Sequence, residues 1–500
     1  MDIKEIFKNM HVETRAFING AYVESQSGEK IVKCSSFDGM ALPEITACGK
    51  PEVEKAVLCA KAAYEAGVWR NLPPGQKKEV LLDLAKLMEE NRQELAVLDT
   101  VETSRAYKNY YEDSIPKAIQ AVRYFAEAVD KIYDCAVPPR EHAFATVTRC
   151  PLGVVGIITP WNDPMVVAAW KFAPALLMGN SVILKPAEQS SLSMIKTAML
   201  ALEAGIPNGV FQVLPGYGEQ TGRELALHKD VRGIFFTGSS ETGKKVMQYA
   251  GMSNLKKEGL ECGGKSPFLV SQNCKDLKKA ASVLAENVFY NQGQICSAPT
   301  RAIVDRKIKG VFLQYLKEEA KRFVPDSPYD VHNNVGCVVS REQYEKINAW
   351  IAAAKEDGAE VFQTEGRTAG MMSGACCIQP AVITGIPNDA RVAQNEIFGP
   401  VVVLLESGCF EESVQLANAT CYGLAGAVFT DDMNEAYYAA QHMEAGIVHI
   451  NCYGEDDNTV PFGGFRESGI GKDKSLWAFD EYSEQKTVWM KLDGLGGCAR

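Results

Sequence analysis

Hydrophobic and polar positions follow two different periods along this chain. Residues 52–69, 75–97 and 112–130 carry apolar positions three and four apart with charged residues between them, which predicts amphipathic helices. Turn signals such as Asn71-Leu-Pro-Pro-Gly75 separate them. From about Pro151 the texture changes to short apolar runs at 154–159, 181–185, 209–214 and 233–237, with helix-like segments at 165–178, 190–204 and 218–228 between them. Runs apolar on both faces, alternating with helices, predict a parallel sheet covered on both sides, and right-handed crossovers make it Rossmann-like. A second alternating series at 267–270, 301–304, Val361, 379–383, 401–405 and 446–450 predicts another α/β domain. Residues 141–149 and 486–491 alternate like half-buried strands outside both series, and are expected to form a small extra sheet used in self-association.

Composition narrows the class. At about 150 residues per domain, 500 residues imply two to four domains. With 52 Lys plus Arg against 63 Asp plus Glu, the net charge of −11 lacks the overall basic character of a nucleic-acid binder, though a local basic patch stays open. No apolar run approaches the roughly 18 residues needed to span a bilayer. The first ten residues, MDIKEIFKNM, have no signal-peptide h-region, and the last seven, GLGGCAR, carry neither a CaaX box nor an address. The expectation is a soluble cytoplasmic protein without a membrane partner, its Gly-rich end mobile. None of the 15 cysteines has C-x-x-C spacing, and the 6 histidines are scattered without H-E-x-x-H, so no metal is indicated. In a reducing cytosol most cysteines should be small buried hydrophobes.

Four segments carry candidate chemistry. Gly238-Ser-Ser-Glu-Thr-Gly243-Lys-Lys245 follows a strand and opens a helix, whose exposed N–H groups suit phosphate oxygens. It misses the P-loop pattern at Lys245, where a hydroxyl would hold Mg²⁺, and a plain Gly-rich turn is the bland alternative. Glu261-Cys-Gly-Gly264 sets a carboxylate beside two glycines, as a water-activating base or a solvated loop residue. Cys296 lies between glycine, amides and small polar residues instead of an aliphatic stripe, an unusual setting for one cysteine among fifteen. In Pro160-Trp161-Asn162-Asp163-Pro164, Asn162 ends the first Rossmann-like strand, where open sheets place ligand contacts and where an amide can donate to an oxyanion.

Together with Lys185-Pro-Ala-Glu188, Phe236-Thr237-Gly238-Ser239, Leu260-Glu-Cys-Gly-Gly-Lys-Ser-Pro267, Gly293-Gln-Ile-Cys296, Glu396-Ile-Phe398-Gly-Pro400 and Pro461-Phe462-Gly-Gly-Phe-Arg-Glu-Ser-Gly469, these segments resemble the aldehyde dehydrogenase superfamily, in its order and across about 300 residues. The resemblance implies an NAD-binding domain over 1–130 and 150–261, a catalytic domain over 262–470, and oligomerisation strands at 131–149 and 478–495 of a dimer or tetramer. It implies Cys296 as nucleophile through a thiohemiacetal and a thioester, Asn162 and the Cys296 N–H as oxyanion donors, Glu261 as the base that activates water, and Lys171 and Asp473 at proton-relay positions. Asp473 stands where many relatives have a longer Glu. For the cofactor it implies Thr159, Pro160, Trp161, Lys185, Glu188, Gly218, Phe236, Thr237, Gly238, Ser239, Thr242, Glu396 and Phe398. Glu188 would repel a 2′-phosphate, so NAD is expected over NADP.

Two departures bear on the small-molecule aldehyde substrate. Where the family commonly has tunnel aromatics, this chain has Asp163 and, in Gly454-Glu-Asp456-Asp457, a second aspartate. An unpaired buried carboxylate is costly, so Asp163 and Asp456 point to a cationic group on the substrate, with Trp170 and Phe462 as remaining walls. The bland alternatives are an N-cap at Asp163 before a first-turn proline, a solvated turn at 455–457, and core packing for the two aromatics. The stretch from Asp457 to Leu476 looks most like the branch acting on γ-glutamyl-γ-aminobutyraldehyde and other aminoaldehydes; 4-aminobutyraldehyde and betaine aldehyde belong to the same cationic class. Rival readings are a general aliphatic or aromatic aldehyde dehydrogenase, a coenzyme-A-acylating relative, a P-loop phosphotransferase and a catalytically silent binding relative.

Overall fold

The computed structural model describes residues 2–366 and 374–493, so the Gly-rich end and the last two positions of 478–495 lie outside the described residues. Among the described residues no helix is long and apolar enough to cross a membrane.

The apolar runs assemble into an eight-stranded sheet. Its order is Gly469–Ile470, Lys257–Glu261, Val231–Thr237, Val154–Ile158, Ser181–Lys185, Phe211–Val213, Ala16–Ile18 and Ala21–Val23. The five middle strands are parallel and buried on both faces, as continuous apolar runs require. Both edges are antiparallel, unlike the all-parallel sheet expected: Gly469–Ile470 returns from the far end of the chain, and an N-terminal hairpin closes the other side. That hairpin turns on Asn19-Gly20, both at positive φ, the pairing that a tight two-residue turn prefers. Strand order reverses about Val154–Ile158, so the C-terminal ends of it and its neighbours open a crevice.

The second sheet runs Glu360–Gln363, Ala381–Thr384, Val401–Ser407, Arg301–Asp305, Pro267–Val270, Ala425–Phe429 and Ile447–Ile450, parallel except at the first strand. Ala425–Phe429 escaped the sequence pattern because its small residues look like a loop; burial of every one of them beside Pro267–Val270 makes it a strand. Ser483–Lys491 pairs antiparallel with Ala143–Pro151 along its whole length, and Cys135–Ala136 completes a three-stranded outlying sheet.

Three expectations need correction. The helix expected over 75–97 is two, Pro74–Glu90 and Arg92–Thr103, because the Asn91 side-chain amide donates to the Leu87 carbonyl (2.8 Å) and competes with the helix ladder. The helix expected over 112–130 starts in a π-turn, Tyr110–Ser114, and becomes α-helical at Ile115–Ala128. Of the free cysteines described, only Cys48, Cys262 and Cys376 are buried, whereas Cys34, Cys135, Cys409 and Cys421 are exposed. Cys337 and Cys377 are disulfide-bonded, brought together by the Val338 N–H donating to the Cys376 carbonyl (2.9 Å).

Candidate active site

The crevice at the strand ends is a cleft of 840 Å³. It is lined by Thr159, Pro160 and Trp161 after one strand, Lys185 and Glu188 after the next, Gly218, and Phe236, Thr237, Gly238, Ser239 and Thr242 after the third. Ser239 is the N-cap of the helix Ser240–Ser253, and its hydroxyl accepts from the Thr242 N–H (3.2 Å), so a 14-residue helix points its positive end into the cleft. A Cβ at Gly243 would meet the Cys262 sulfur at 2.6 Å, so glycine lets this helix seat on the sheet. Deeper in, Glu188 accepts from the Gly218 N–H (2.5 Å) and the Lys185 ammonium (3.2 Å). Burial lowers the Lys185 pKa, with Glu188 opposing. The hydroxyls of Thr159 and Thr237 are buried without partners, as expected of a wall built to face a polar ligand. Cleft size, unpartnered hydroxyls and helix start fit a dinucleotide.

Pro160, Trp161, Thr237, Gly238 and Ser239 also line a second cavity of 220 Å³, which therefore continues the first, and whose other walls include Asn162, Gly263, Cys296, Glu396 and Phe398. Trp161 and Phe398 meet edge to face, 5.3 Å between ring centroids. Glu396 reaches the Gly264 N–H (3.2 Å), and a Cβ on Gly263 would stand 2.1 Å from its carboxylate. Burial raises the Glu396 pKa to about 7, against the Gly264 N–H and Lys265.

Cys296 follows a strained turn. Asn291, Gln292 and Gly293 all have positive φ (48°, 55° and 68°), a costly run that persists only where surroundings over-determine it. Here the side chains do so. Gln292 donates to the Ile378 carbonyl (3.0 Å) and accepts from its N–H (2.8 Å), and Gln294 accepts from the Val339 N–H (3.0 Å). The Cys296 thiol is pushed up to about 12 by burial and by the charges of Glu396 and Glu261, with its own and the Ser297 N–H groups opposing. The Asn162 amide donates to the Gln294 carbonyl (3.0 Å), which ties it to the cysteine loop. Its backbone carbonyl accepts from Arg105 and Asn291 (3.2 Å each).

Glu261 ends its strand buried, both carboxylate oxygens without a hydrogen-bond partner. Burial raises its pKa well above the usual carboxylate range, Asp473 adds to this, and Lys171 opposes. Lys171 and Asp473 form a buried ion pair (2.7 Å), so the shorter Asp reaches the lysine, yet no hydrogen bond joins either to Glu261.

The two aspartates expected to face the substrate, like Trp170 and Phe462, are not among the residues lining the cavity that holds Cys296. Asp163 occupies the cap position before Pro164–Leu177 but makes no cap hydrogen bond. Its Oδ2 instead lies 3.3 Å from the Arg105 guanidinium and accepts from the Ser114 hydroxyl (3.3 Å). Asp456 pairs with Lys474 (2.5 Å) and lies 3.4 Å from His449. Burial alone would raise the Asp456 carboxyl; hydrogen bonds from His449 and Lys474 reverse this and hold it well below its usual value. Both carboxylates have a cation beside them, which weakens the ground on which a substrate cation was expected, but Asp163 Oδ1 is buried without a hydrogen-bond partner. Glu455 and Asp457 are exposed turn residues. Trp170 and Phe462 do meet, 5.4 Å between centroids, with the Lys474 ammonium 5.5 and 5.8 Å from their rings.

Sequence reasoning missed Arg105 and Lys474. Arg105 falls between two helices with no motif, and Lys474 sits in Lys472-Asp-Lys474, which looks like a solvated charge run; burial to 2% and 3% exposure is what separates them from surface charges.

Residues 22–488 match the family model described as the aldehyde dehydrogenase family. The chain is 39% identical over 485 residues to the NADP/NAD-dependent aldehyde dehydrogenase PuuC of Escherichia coli (strain K12), 97% of each chain. It is 38% identical over 486 residues to aminoacetaldehyde dehydrogenase of Pseudomonas aeruginosa, again 97% of each. The crystal structure of gamma-glutamyl-gamma-aminobutyraldehyde dehydrogenase from Burkholderia cenocepacia J2315 superposes with a TM-score of 0.93 at 41% identity, covering 98% of this chain and 100% of that one. This chain belongs to the aldehyde dehydrogenase family, and is an oxidoreductase that uses NAD(P).

Proposed function

We propose that this protein oxidises an aminoaldehyde to the carboxylate with NAD, through a thiohemiacetal and then a thioester on Cys296. The observation that carries the reading is the shared wall between the dinucleotide cleft and the cavity holding Cys296, Asn162 and Glu396. The Cys296 thiol gives up its proton to water as its sulfur attacks the carbonyl carbon, and the carbonyl electron pair moves to oxygen. The second hydrogen of the Asn162 amide and the Cys296 N–H hold that oxygen, a stabilisation worth roughly 3–4 kcal/mol per donor. A bound nicotinamide would supply the hydride acceptor for the former aldehyde carbon. Glu261, made more basic by burial, then deprotonates the water that attacks the thioester, and the Cys296 thiolate leaves. Thr159, Lys185, Glu188, Ser239 and Thr242 would hold the adenosine and pyrophosphate side, and Glu396 and Phe398 the nicotinamide side. The Glu188 carboxylate disfavours a 2′-phosphate.

For the substrate, two relatives are named for aminoaldehydes. Because Asp163 and Asp456 already have cations beside them, we favour a tail of mixed polarity, such as γ-glutamyl-γ-aminobutyraldehyde, over a bare quaternary ammonium such as betaine aldehyde. The outlying sheet exposes Phe144, Val488, Trp489 and Met490, an apolar surface that supports a cytoplasmic homo-oligomer built through it. NADH formation measured across γ-glutamyl-γ-aminobutyraldehyde, 4-aminobutyraldehyde, betaine aldehyde and propanal tests the reading. The first two should give the highest kcat/KM. A tenfold preference for propanal would sink the substrate assignment, and NADH formation undiminished in Cys296→Ala would sink the mechanism.

A further inference from the structure

Behind Glu261, on the side of Lys171, lies a small space of about 10 Å³, room for one water. Its polar walls are Glu261, Lys171, Asp473, Lys472, Glu481 and Tyr482. Most of these groups are committed elsewhere. Lys171 and Asp473 are tied to each other, and Asp473 is fixed by backbone hydrogen bonds in both directions with Phe462 (2.7 and 2.8 Å). The Lys472 ammonium donates to the carbonyls of Gly463 (2.5 Å) and Gly464 (3.0 Å). Tyr482 is fully buried, and burial keeps its phenol protonated. Glu261 and Glu481 remain as the two carboxylates able to trade a proton across the space.

Both line it. Glu261 is buried; Glu481, last residue of the short helix Ala478–Glu481, is half-buried. A glycine makes room for each carboxylate. A Cβ at Gly463 would stand 2.4 Å from Glu261 Oε1, and one at Gly471 (φ 86°) would stand 2.9 Å from Glu481 Oε2. Glu481 is oriented by the Lys472 N–H, which donates to its Oε1 (3.3 Å).

We propose that Glu481 is the proton exit of this enzyme. It receives, through a water in this small space, the proton that Glu261 takes during thioester hydrolysis, and releases it to solvent. This rests on the reading of Glu261 as the base. The step balances as a transfer: protonated Glu261 and ionised Glu481 become ionised Glu261 and protonated Glu481, and the second then ionises into bulk water. Burial raises the Glu481 pKa, with Lys257 opposing and Asp473 adding, which narrows the gap to Glu261 and makes the transfer less uphill.

The test is Glu481→Gln, read against Glu481→Asp and Glu261→Gln by rapid-mixing and steady-state kinetics. Glu481→Gln should keep a burst of one NADH per site. Its steady-state kcat should fall about fivefold to tenfold, a relay effect smaller than loss of a base itself. Its solvent deuterium isotope effect on kcat should grow, and added acetate or imidazole should restore kcat saturably, with no such gain in the native enzyme. Glu481→Asp should recover most of the rate. Turnover of Glu481→Gln within twofold of native, or loss of the burst together with turnover, would overturn the proposal. Should Glu261→Gln stall after its burst while Glu481→Gln does not, the exit role alone falls; should Glu261→Gln turn over at the native rate, the base itself is misassigned.

Discussion

The dinucleotide cleft and the aldehyde side of the active site are built by different means. The cleft is assembled mainly from strand ends and the turns that follow them, the residues proposed to hold the cofactor lying within a few residues of a buried parallel strand. The side proposed for the aldehyde is assembled from contacts that cross the chain: Lys171 pairs with Asp473, 302 residues away, and Arg105 faces Asp163 and donates to the Asn162 carbonyl, 57 residues away, and to the Tyr290 hydroxyl, 185 away. Local construction fixes a general cofactor site, whereas long-range pairs can be exchanged one at a time, and that is where substrate choice can vary without disturbing the sheet.

The sharpest way to break this contrast is Cys296→Ala. Aldehyde oxidation should fall by at least about 10³-fold while NAD affinity, measured by fluorescence or calorimetry, stays within about twofold, because the sulfur bounds only the second cavity. Lost NAD binding would mean the two sites are not separable. Next in size, Asn162→Ala should lower kcat by about 10²–10³ with a smaller change in KM, the signature of a donor used in the transition state. Its amide also steadies the cysteine loop through Gln294, so the accompanying check is an unchanged thermal midpoint.

The same contrast explains what the sequence made legible. Gly238-Ser239 and Thr159 to Asn162 stand at strand ends that apolar runs locate directly, so their convergence on one crevice follows from the parallel order, whereas the strand Lys257–Glu261 that carries Glu261 is not an apolar run. Asp163 and Asp456 were visible as departures, but not their partners. Arg105 lies just after a residue at positive φ, Ser104, between helices, and Lys474 is buried by a turn of two positive-φ residues, Lys474 and Ser475. Nothing in local spacing announces either. The cysteine loop was found by composition, yet its strain and the glutamine clamps that hold it depend on segments near Val339 and Ile378.

Acidity gives a third test. Glu261 has a raised pKa, so it takes up a proton, and stops serving as a base, at a pH above the usual carboxylate value of about 4.3. The kcat profile of the native enzyme should therefore fall on the acid side at a pH above the ordinary carboxylate range, and Glu261→Gln should lose that limb along with most turnover. An acid limb that survives Glu261→Gln belongs to another group. A smaller effect is expected on the cofactor side. Glu188→Gln removes the charge facing the adenosine end and should raise the kcat/KM ratio of NADP to NAD about tenfold, leaving aldehyde preference unchanged.

The smallest expected effect discriminates best between the two kinds of construction. Lys474→Met removes the ammonium that neutralises Asp456 and lies over Trp170 and Phe462, and leaves the carboxylate with His449 alone. A methionine of similar length keeps the packing against both rings, so a change in preference would report charge. His449 still stands against the carboxylate, which limits the gain to roughly threefold. KM for 4-aminobutyraldehyde should fall by that factor and KM for propanal should not move, while Asp456→Asn should shift the same ratio the other way. If both variants moved both aldehydes equally, the Asp456–Lys474 pair would be a structural clasp behind the aromatic wall, and substrate selection would rest on Asp163 and Arg105, where the shorter path to Asn162 ties specificity to the oxyanion donor itself.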